Sequence, residues 1–592
     1  MICEEPLTIS DAARRAGVTM RSECGGKGTC GKCLVRVPEG KLSPVTKAEE
    51  ELLTADQLAE GWRLACRTVL SDGVSIYVPA ISTIEAPVMQ LESLDVELKP
   101  ETSIRTVSLA VPEASLTDQR SDLQRVADEL KVQYGIDKAW ADLPALNSIR
   151  AALREGDWKV GVALRRNEII DAYTGTAHSP IGLAVDVGTT KLACYIVDLE
   201  TGKVLAARGA MNPQIVYGED VMSRLAAAIE DPASSRYMQE VLVQTINAVA
   251  AELCATQKLD VKHILDACMV GNTAMHHLLL GLPVRPLALS PFVPATSSPL
   301  EVDAAALGLD AAPGAHAYLL PPIAGFVGSD HVAVLLAAGF GEDNSTRLAI
   351  DIGTNTEIAL QAGSRIVSCS TASGPAFEGA HISHGMRAAP GAIQHVTITD
   401  GGFVHSDVIG GGSATGICGS GVLDAVVEMR AAGIINERGR IIKGRPGVRI
   451  QQDGFPSFLL AAGSDEQRDV LITQQDIDQV LLAKGAIRAG IDILMAHLKV
   501  NAQDIEDINI AGAFGSYLDP RNAVRIGLLP GVPLNRIRAI GNAAGAGARM
   551  TLASLDARRR AASLARQVEY LEVTVYPGFK KFLAGGMRLP SG

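Results

Sequence analysis

The spacing of apolar residues changes along the chain and divides it into stretches of different character. At the N-terminus, a short helical spacing precedes two strand-like runs, residues 34–37 and 74–78. Residues 103–178 mix alternating, strand-like stretches with two helical patterns. From residue 181 to residue 592, short apolar strands alternate with helical patterns, and Gly-Thr turns follow strand ends. This last pattern predicts an α/β fold.

These changes predict a multidomain α/β protein. We place a first domain at 1–85, a small α+β middle domain at 103–178 and a large domain of two related subdomains at 181–592. Residues 86–102 carry prolines and charges without a clear period, and we interpret them as a linker. The middle domain shows no residue pattern with an obvious chemistry. Its residues 115–118 are typical of a capping box at the start of a helix.

The composition excludes several classes of protein. Apolar residues make up 47% of the 592 residues and charged residues 20%, which is an ordinary globular balance. The net charge is −12, so nucleic acid and anionic membranes are poor partners. No apolar run reaches the ~18 residues of a membrane span, and we find no signal peptide at the N-terminus. Ten cysteines are too few for a secreted disulfide scaffold, so we expect a cytoplasmic protein.

Four cysteines in the first domain have the spacing of a metal centre. Cys24, Cys30 and Cys33 share one glycine-rich loop with the spacing C-x5-C-x2-C, and Cys66 follows at a distance. Glycines let the backbone curl around a cluster and leave N–H groups free to donate to its sulfurs. We therefore predict that the four thiolates hold a 2Fe–2S cluster. The alternatives are four unrelated thiols or a zinc site built on Cys30 and Cys33, although zinc ribbons usually have two C-x-x-C pairs.

The first domain resembles a plant-type ferredoxin in this loop, in the helix before it and in the Leu-Ala-Cys that contains Cys66. The resemblance implies a β-grasp fold. Plant-type ferredoxins have the spacing C-x4-C-x2-C, so the first gap here is one residue longer. Such domains also begin with a β-hairpin, whereas this chain begins almost at the helix. We therefore expect the sheet to lack one or two strands of that hairpin.

Two similar loops follow predicted strands in the large domain. They run from Asp186 to Lys191 (Asp-Val-Gly-Thr-Thr-Lys) and from Asp351 to Thr356 (Asp-Ile-Gly-Thr-Asn-Thr), with the aspartates 165 positions apart. Turn N–H groups and hydroxyls at a strand end can hold phosphate oxygens, and an aspartate there can hold Mg²⁺. The alternatives are structural turns capped by Asp and, for Lys191, a solvated strand lysine. The candidate phosphate-binding residues are Gly188, Thr189, Thr190, Lys191, Gly353, Thr354 and Asn355.

The paired loops resemble the two phosphate loops of the superfamily of actin, sugar kinases and heat-shock-type chaperones. The resemblance implies that ATP lies in a cleft between two related subdomains, with Asp186 and Asp351 as catalytic residues. A third turn, residues 511–515, resembles the adenosine loop of that superfamily. Gly512 and Gly515 are therefore further candidates for ATP binding.

An N-terminal 2Fe–2S domain joined to an actin-like ATPase domain is similar to the ATP-dependent reductive activators of corrinoid proteins, and the likeness extends over the whole chain. Residues 328–331 and 373–379 also resemble segments of that family, although they have no assigned chemistry. Residues 415–421 fit either a nucleotide-facing turn or the start of a helix.

The resemblance implies that the protein passes one electron from its 2Fe–2S cluster to a corrinoid protein, reducing Co(II) to Co(I), and that ATP hydrolysis drives the transfer. The implied cofactors are the cluster, ATP and Mg²⁺. The implied partners are a corrinoid protein and an unidentified low-potential electron donor, and a homodimer is left open. Two other functions remain: a nucleotide-gated iron–sulfur redox sensor or binding module, and a small-molecule kinase of the same fold.

Overall fold

The computed structural model describes residues 7–590 except for a set of shorter stretches. Those stretches are 17, 19, 21–23, 41, 71–72, 80–81, 83–99, 354, 380, 400–401, 452–453, 464–468 and 516. Most of the predicted linker and the first six residues, where the expected missing hairpin would be tested, therefore lie outside the described residues. Within the described part of the chain, none of the helices is long and apolar enough to span a bilayer.

A small antiparallel sheet carries the cysteine-rich segment. Its elements are α1 (Ile9–Arg15), β1 (Leu34–Glu39), α2 (Lys47–Leu52), α3 (Ala55–Ala59), β2 (Trp62–Leu64) and β3 (Ser75–Tyr77). The strands lie in the order β2-β1-β3, and Leu34 pairs with Leu64. Helix α1 packs on the sheet through Ile9, which shares a buried core with Val35. The two predicted strand-like runs are confirmed as β1 and β3.

A second sheet lies between the cysteine-rich segment and the large domain. Its elements are β4 (Ile104–Ala110), α4 (Asp122–Tyr134), β5 (Trp140–Ala141), α5 (Leu143–Glu155), β6 (Lys159–Arg165) and β7 (Glu168–Thr174). The strand order is β4-β6-β7-β5, and both helices share one apolar core with the sheet. Ser121 caps α4, because its side chain accepts a hydrogen bond from the backbone N–H of Gln124. The capping box expected at 115–118 is therefore wrong; those residues close a separate turn before the helix.

The large domain consists of two lobes, each with a six-stranded sheet. The first lobe contains β8 (Ile181–Val187), β9 (Lys191–Asp198), β10 (Val204–Met211), a 3-10 turn (Pro213–Tyr217), α6 (Val221–Glu230), α7 (Pro232–Thr256), β11 (Ile264–Gly271), α8 (Thr273–Leu279), α9 (Arg285–Ala288), β12 (Leu300–Asp303), β13 (His316–Leu319) and α10 (Ser329–Ala337). The second lobe contains β14 (Arg347–Ile352), β15 (Thr356–Ala362), β16 (Arg365–Thr371), β17 (Ala392–Ile398), β18 (Val404–Val408), β19 (Gly416–Ile417), α11 (Gly419–Ala431), β20 (Val448–Ile450), β21 (Pro456–Ala461), β22 (Val470–Thr473), α12 (Gln474–Leu498), β23 (Asp507–Ala511), α13 (Gly512–Gly515), α14 (Pro520–Arg525), β24 (Ile537–Gly541), α15 (Ala543–Ala553), α16 (Leu555–Gln567), β25 (Val568–Tyr570) and α17 (Phe579–Gly586).

The two six-stranded sheets share one connectivity in five of their six strands, and the sixth strand differs, since β12 pairs with β13 and β25 pairs with β16. Their orders are β10-β9-β8-β11-β13-β12 and β24-β23-β14-β15-β16-β25. In each lobe the first three strands form an antiparallel meander, and the first of them also pairs in parallel with a later strand, β11 or β23. That later strand pairs in parallel with one more strand, β13 or β24. This repeated order confirms the predicted duplication of the large domain.

The end of the chain returns to the first lobe. Helix α15 follows β24 of the second lobe but packs against α10, β8 and β11. The helices approach so closely that a Cβ at Gly547 would lie 2.3 Å from the carbonyl oxygen of Ala333. In α16, Arg558 donates to the buried carboxylate of Asp266 on β11 at 2.6 Å. These contacts fix the second lobe to the first beside the cleft between them.

Glu49 connects helix α2 to strand β2 and to the turn that carries Cys66. Arg63 Nε and Nη2 donate to its carboxylate at 2.9 and 3.0 Å. The backbone N–H of Leu64 and the hydroxyl of Thr68 donate to Glu49 Oε1 at 3.1 and 2.9 Å. Glu49 and Arg63 are both buried. One carboxylate therefore holds both sides of the cysteine-bearing turn in place.

We predict that Glu49→Gln destabilises the cysteine-rich segment by roughly 3–5 kcal/mol, because it leaves the buried Arg63 uncompensated. Burial opposes ionisation of Glu49, but hydrogen bonds from Arg63 and Thr46 outweigh it and lower the pKa from 4.5 to about 2. The stabilisation is therefore complete above the unfolded-state pKa and is lost as the pH falls through about 2. Chemical denaturation followed by circular dichroism measures the difference. Glu50→Gln, on the exposed side of the same helix, is the control, and equal stability of both variants would contradict the prediction.

Candidate functional site

The four predicted cluster ligands lie together at one end of the small sheet. Cys24, Cys30 and Cys33 occupy the loop before β1, and Cys66 lies in the turn after β2. The Sγ atoms of Cys33 and Cys66 are 3.3 Å apart. Cys24 and Cys30 form a second thiol pair, and the hydrogen bond from Cys30 lowers the pKa of Cys24 to about 4. All four are free cysteines and three are partly exposed, while Cys33 is buried.

This arrangement in pairs fits a two-iron cluster. In a Cys₄-ligated 2Fe–2S centre each iron takes two thiolates, whereas a structural zinc ion gathers all four around one point. Among the described residues, no group of three or more His, Cys, Asp or Glu side chains converges on a single point. The loop glycines have positive φ, as the sequence predicted, and Gly28 has no room for a Cβ beside Arg67. The donor set therefore suits a 2Fe–2S cluster better than zinc.

A cleft of about 320 Å³ separates the two lobes of the large domain and is lined from both sides. Asp186 is the last residue but one of β8, and Asp351 is the last residue but one of β14. The matching topology of the lobes brings these two strand ends to face each other. Gly188 begins the first turn, where a Cβ would lie 2.5 Å from the carbonyl oxygen of Lys191. Both predicted loops therefore reach one cavity.

Four carboxylates line this cleft, although they do not converge on a single point. Asp330, at the start of α10, and Glu357, on β15, line it together with the two predicted aspartates. Burial raises the pKa of Asp186 to about 7 and that of Asp351 to about 6. Burial and the neighbouring charges of Asp351 and Asp186 raise the pKa of Asp330 to about 8, and burial also raises that of Glu357. This negative charge suits a hard divalent cation such as Mg²⁺, which typically takes one or two carboxylates and completes its shell with waters and substrate phosphates.

The sequence reasoning missed Asp330 and Glu357. Asp330 lies in the segment 328–331, to which the sequence assigns no chemistry. Glu357 pairs with Asp351 across the antiparallel strands β14 and β15. That pairing becomes visible only when the hairpin register is known, because the two residues point to the same face from different strands.

Polar groups for phosphate lie beside the carboxylates. The cavity is lined by Gly188, Thr189, Thr190 and Lys191 of the first loop and by Gly353 and Asn355 of the second. Asn272 Nδ2 donates to Thr189 Oγ1 at 2.8 Å, which orients the first loop. Burial lowers the pKa of Lys191. Thr354, a further predicted contact, lies outside the described residues.

Two aromatic rings also line the cleft. The rings of Phe377 and Phe514 stack with centroids 5.0 Å apart, and Cys418 and Ser420 at the start of α11 line the same wall. Residues 415–421 therefore contain a helix start, one of the two interpretations, and the nucleotide-facing role stays a prediction. A planar base can stack on such a surface.

The adenosine-like turn contributes one of its two predicted glycines. Gly512, with a φ of +89°, lines the cavity, and a Cβ there would lie 2.8 Å from Asp351 Oδ1. Gly515 is described by the structure but does not line the cavity. A Cβ at Gly515 would lie 2.7 Å from the side chain of Ile510, so this glycine allows α13 to pack on β23. A role of Gly515 in ATP binding stays a prediction.

A ferredoxin-type cysteine loop and a duplicated two-lobed fold with a carboxylate-lined cleft together define an iron–sulfur ATPase. Sequence models of four domain families match the chain: a 2Fe-2S iron-sulfur cluster binding domain (1–71), the RACo linker region (92–179), the RACo middle region (181–343) and the C-terminal ASKHA domain of RACo (345–592).

Similar proteins agree with these matches. The corrinoid activation enzyme RamQ of Eubacterium limosum is 33% identical over 596 residues, covering 98% of this chain and 95% of that protein. A Co(II) methylated amine-specific corrinoid protein reductase of Methanosarcina barkeri is 28% identical over 387 residues, covering 59% of this chain and 66% of that protein. The solved structure of a reductive activator for corrinoid, iron-sulfur protein superposes with a TM-score of 0.73 at 33% identity, covering 98% and 95% of the two chains.

The chain belongs to this family of ATP-dependent reductive activators of corrinoid proteins. The predicted fold class is confirmed, with a ferredoxin-type N-terminal domain and an actin-like C-terminal part. The predicted cofactors, a 2Fe–2S cluster and ATP with Mg²⁺, are confirmed as well.

For the cysteine site, we predict that anaerobically purified protein is brown and contains about two irons per chain. Cys30→Ala and Cys33→Ala should each abolish the visible absorption and the paramagnetic signal of the reduced protein. Cys254→Ala, which changes a buried thiol in α7, is the control and should keep its iron. Stoichiometric zinc without iron would show that the assignment is wrong.

For the cleft, we predict that Asp351→Asn and Asp186→Asn each lower Mg²⁺-dependent ATP hydrolysis by about 100-fold, because each removes a charge that organises the cation and phosphates. The cluster spectrum should stay intact. Asp407→Asn, on the exposed face of β18, is a control with the same chemical change. Unchanged nucleotide binding and turnover in both cleft variants would mean that these turns are purely structural.

Proposed function

We propose that this protein uses ATP hydrolysis to reduce the cobalt of a partner corrinoid protein from Co(II) to Co(I). The observation that carries the proposal is the presence of a thiol-lined cluster site and a carboxylate-lined nucleotide cleft in one chain that resembles a corrinoid activation enzyme along 98% of its length. A cluster alone would only equilibrate with its donor, and an ATPase alone has no electron to give.

Four cysteines are assigned to the cluster. Cys24 with Cys30, and Cys33 with Cys66, would hold the irons of the cluster, in line with the two thiol pairs. The cluster, when bound, would supply a one-electron store at the cysteine loop.

In the cleft, Asp186 and Asp351 are assigned to Mg²⁺, and the two turns and Lys191 to the phosphates of ATP. Hydrolysis requires a water oxygen to attack the γ-phosphorus while the bond to the β-phosphate oxygen breaks. The water must lose a proton in the same process. Asp330 lines the same cavity as Asp186 and Asp351, and it is assigned to accept that proton. Burial first, and the charges of Asp351 and Asp186 second, raise its pKa to about 8.

The energetics explain the need for ATP. Plant-type clusters have potentials near ~−400 mV, and the Co(II)/Co(I) couple is expected to lie lower. Each ~59 mV of shortfall costs a single electron about 1.4 kcal/mol. The electron comes from a low-potential donor, which is oxidised by one electron as Co(II) gains one. ATP hydrolysis offsets the shortfall through closure of the two lobes.

The remaining assignments concern partners and compartment. A net charge of −12 supports a protein partner rather than nucleic acid or an anionic membrane surface. Ten cysteines, none described in a disulfide, suit the reducing cytoplasm. The electron donor is an unidentified low-potential donor, and a homodimer is compatible with the single-chain sites.

We predict that the holoprotein, with a chemical reductant and Mg·ATP, converts its partner's Co(II) to Co(I), seen directly in the optical spectrum of the corrinoid. Cys30→Ala and Asp351→Asn should each abolish the conversion, because one removes the electron store and the other the ATPase. A mixture of the two variants should stay inactive unless electrons cross between the subunits of a dimer, in which case activity returns.

Other results would favour the other two functions. If cobalt is reduced equally fast with and without ATP, the proposal is overturned and a nucleotide-gated sensor is favoured. The same holds if the protein reduces no corrinoid protein whose gene lies beside its own. Transfer of the γ-phosphate to a sugar or acid would favour a small-molecule kinase.

A further inference from the structure

The cysteine loop lies against the first lobe of the large domain. A Cβ at Gly25 would lie 2.5 Å from the carbonyl oxygen of Tyr217 and 3.3 Å from the backbone nitrogen of Gly218. Gly25 has a φ of +59° and directly follows Cys24. The backbone of the lobe therefore contacts the loop next to one thiol pair, at a distance that only glycine allows.

The contacted segment begins at the first phosphate loop. We call residues 212–218 the coupling segment; it contains the 3-10 turn and ends at the cysteine loop. At its start, Asn212 is fully buried. Its side-chain Nδ2 donates to the carbonyl oxygen of Gly188 at 2.8 Å, and its backbone N–H donates to the carbonyl oxygen of Thr190 at 2.9 Å. Asn212 Oδ1 also accepts from the backbone N–H of Gln214 at 3.0 Å, which caps the turn. One short segment thus joins the phosphate loop to the cysteine loop.

Peptide planarity makes this connection sensitive to nucleotide. The carbonyl of Gly188 and the N–H of Thr189 belong to one rigid peptide unit and point in opposite directions. When the N–H of Thr189 turns toward a phosphate oxygen, the carbonyl held by Asn212 must turn as well. The side-chain hydrogen bond that positions the coupling segment then weakens.

The coupling segment also has unused hydrogen-bonding capacity. Gln214 Oε1 and Arg224 Nη2 are buried and have no partner among the described protein groups. Arg224 Nε donates to the carbonyl oxygen of Gly218 at 2.9 Å and Nη1 contacts Met275 Sδ at 3.6 Å, so, among the described groups, Nη2 alone is left without a partner at the end of the segment that faces the cysteine loop. Buried polar groups are normally satisfied, so these two atoms leave hydrogen-bonding capacity for a second arrangement.

We propose that the coupling segment holds the cysteine loop against the first lobe in the absence of nucleotide, and that Mg·ATP binding releases the loop. Asn212 is the positioning residue of this device. The inference rests on the proposed function, in which a partner protein must reach the cluster. It adds that the chain covers the Cys24 side of its own cluster until nucleotide is bound.

The test measures how fast an iron chelator such as bathophenanthroline removes iron from the full-length holoprotein, with and without the non-hydrolysable analogue AMPPNP and Mg²⁺. For the unaltered protein we expect the nucleotide to raise the rate by about 5-fold or more, which is the lower end of typical coupling between two sites. Gly25→Ala should release iron rapidly without nucleotide, because its Cβ would clash with Tyr217.

Gly26→Ala is the matched control. Gly26 has a φ of +82°, so the change strains the same loop, but its Cβ would meet nothing within 4 Å. This variant should behave like the unaltered protein. Equal acceleration in Gly25→Ala and Gly26→Ala would mean that loop strain, not docking, controls the rate, and it would overturn the proposal.

Asn212→Ala should still bind AMPPNP but lose the nucleotide response. A full response in this variant, or no response in the unaltered protein, would also overturn the proposal. If Asn212→Ala does not fold, the pair of glycine variants decides the question alone. The iron-release assay contains no corrinoid, so it is independent of Co(I) formation. If nucleotide accelerates iron release but no Co(I) forms in the reduction assay, only the proposed function is contradicted. If Co(I) forms but nucleotide does not change iron release, only the coupling is contradicted.

Discussion

The negative charge of four carboxylates that line the cleft is the constraint around which the large domain is organised. Asp186, Asp330, Asp351 and Glu357 share a partly buried cavity, where burial and mutual repulsion disfavour their ionised forms. A bound cation compensates for this charge and favours the ionised forms. The cleft is therefore electrostatically suited to a nucleotide that arrives with its metal ion.

The duplicated fold makes this arrangement possible. Each lobe begins with an antiparallel meander whose first strand ends in an aspartate, and the two strand ends face each other. The returning helix α15 then fixes the relation between the lobes. Its N-cap Asn542 contacts Asp186 and donates to the hydroxyl of Tyr195 at 3.2 Å, so the last part of the chain contributes to the first phosphate site.

The cysteine-rich segment is stabilised on a different principle. Its core is small, and a buried ion pair between Glu49 and Arg63 holds the turn of Cys66 in position. The thiols themselves repel one another once ionised, so metal binding and folding of the loop are coupled. In both the cysteine-rich segment and the cleft, a bound metal ion compensates for negative charges that lie close together.

The sequence by itself determined the local features: the cysteine spacing, the positive-φ glycines, the two Asp-x-Gly-Thr turns and the repeated α/β pattern. These depend on residues that are close along the chain. Tertiary structure decided which distant residues share a site. Glu357 reaches the cleft through its pairing with Asp351 across a hairpin, and Asp330 reaches it through the start of α10. Gly515 lies against the side chain of Ile510. Such placements follow from strand register and helix packing, in which a shift of one residue changes the face that a side chain occupies, and a single sequence does not display them.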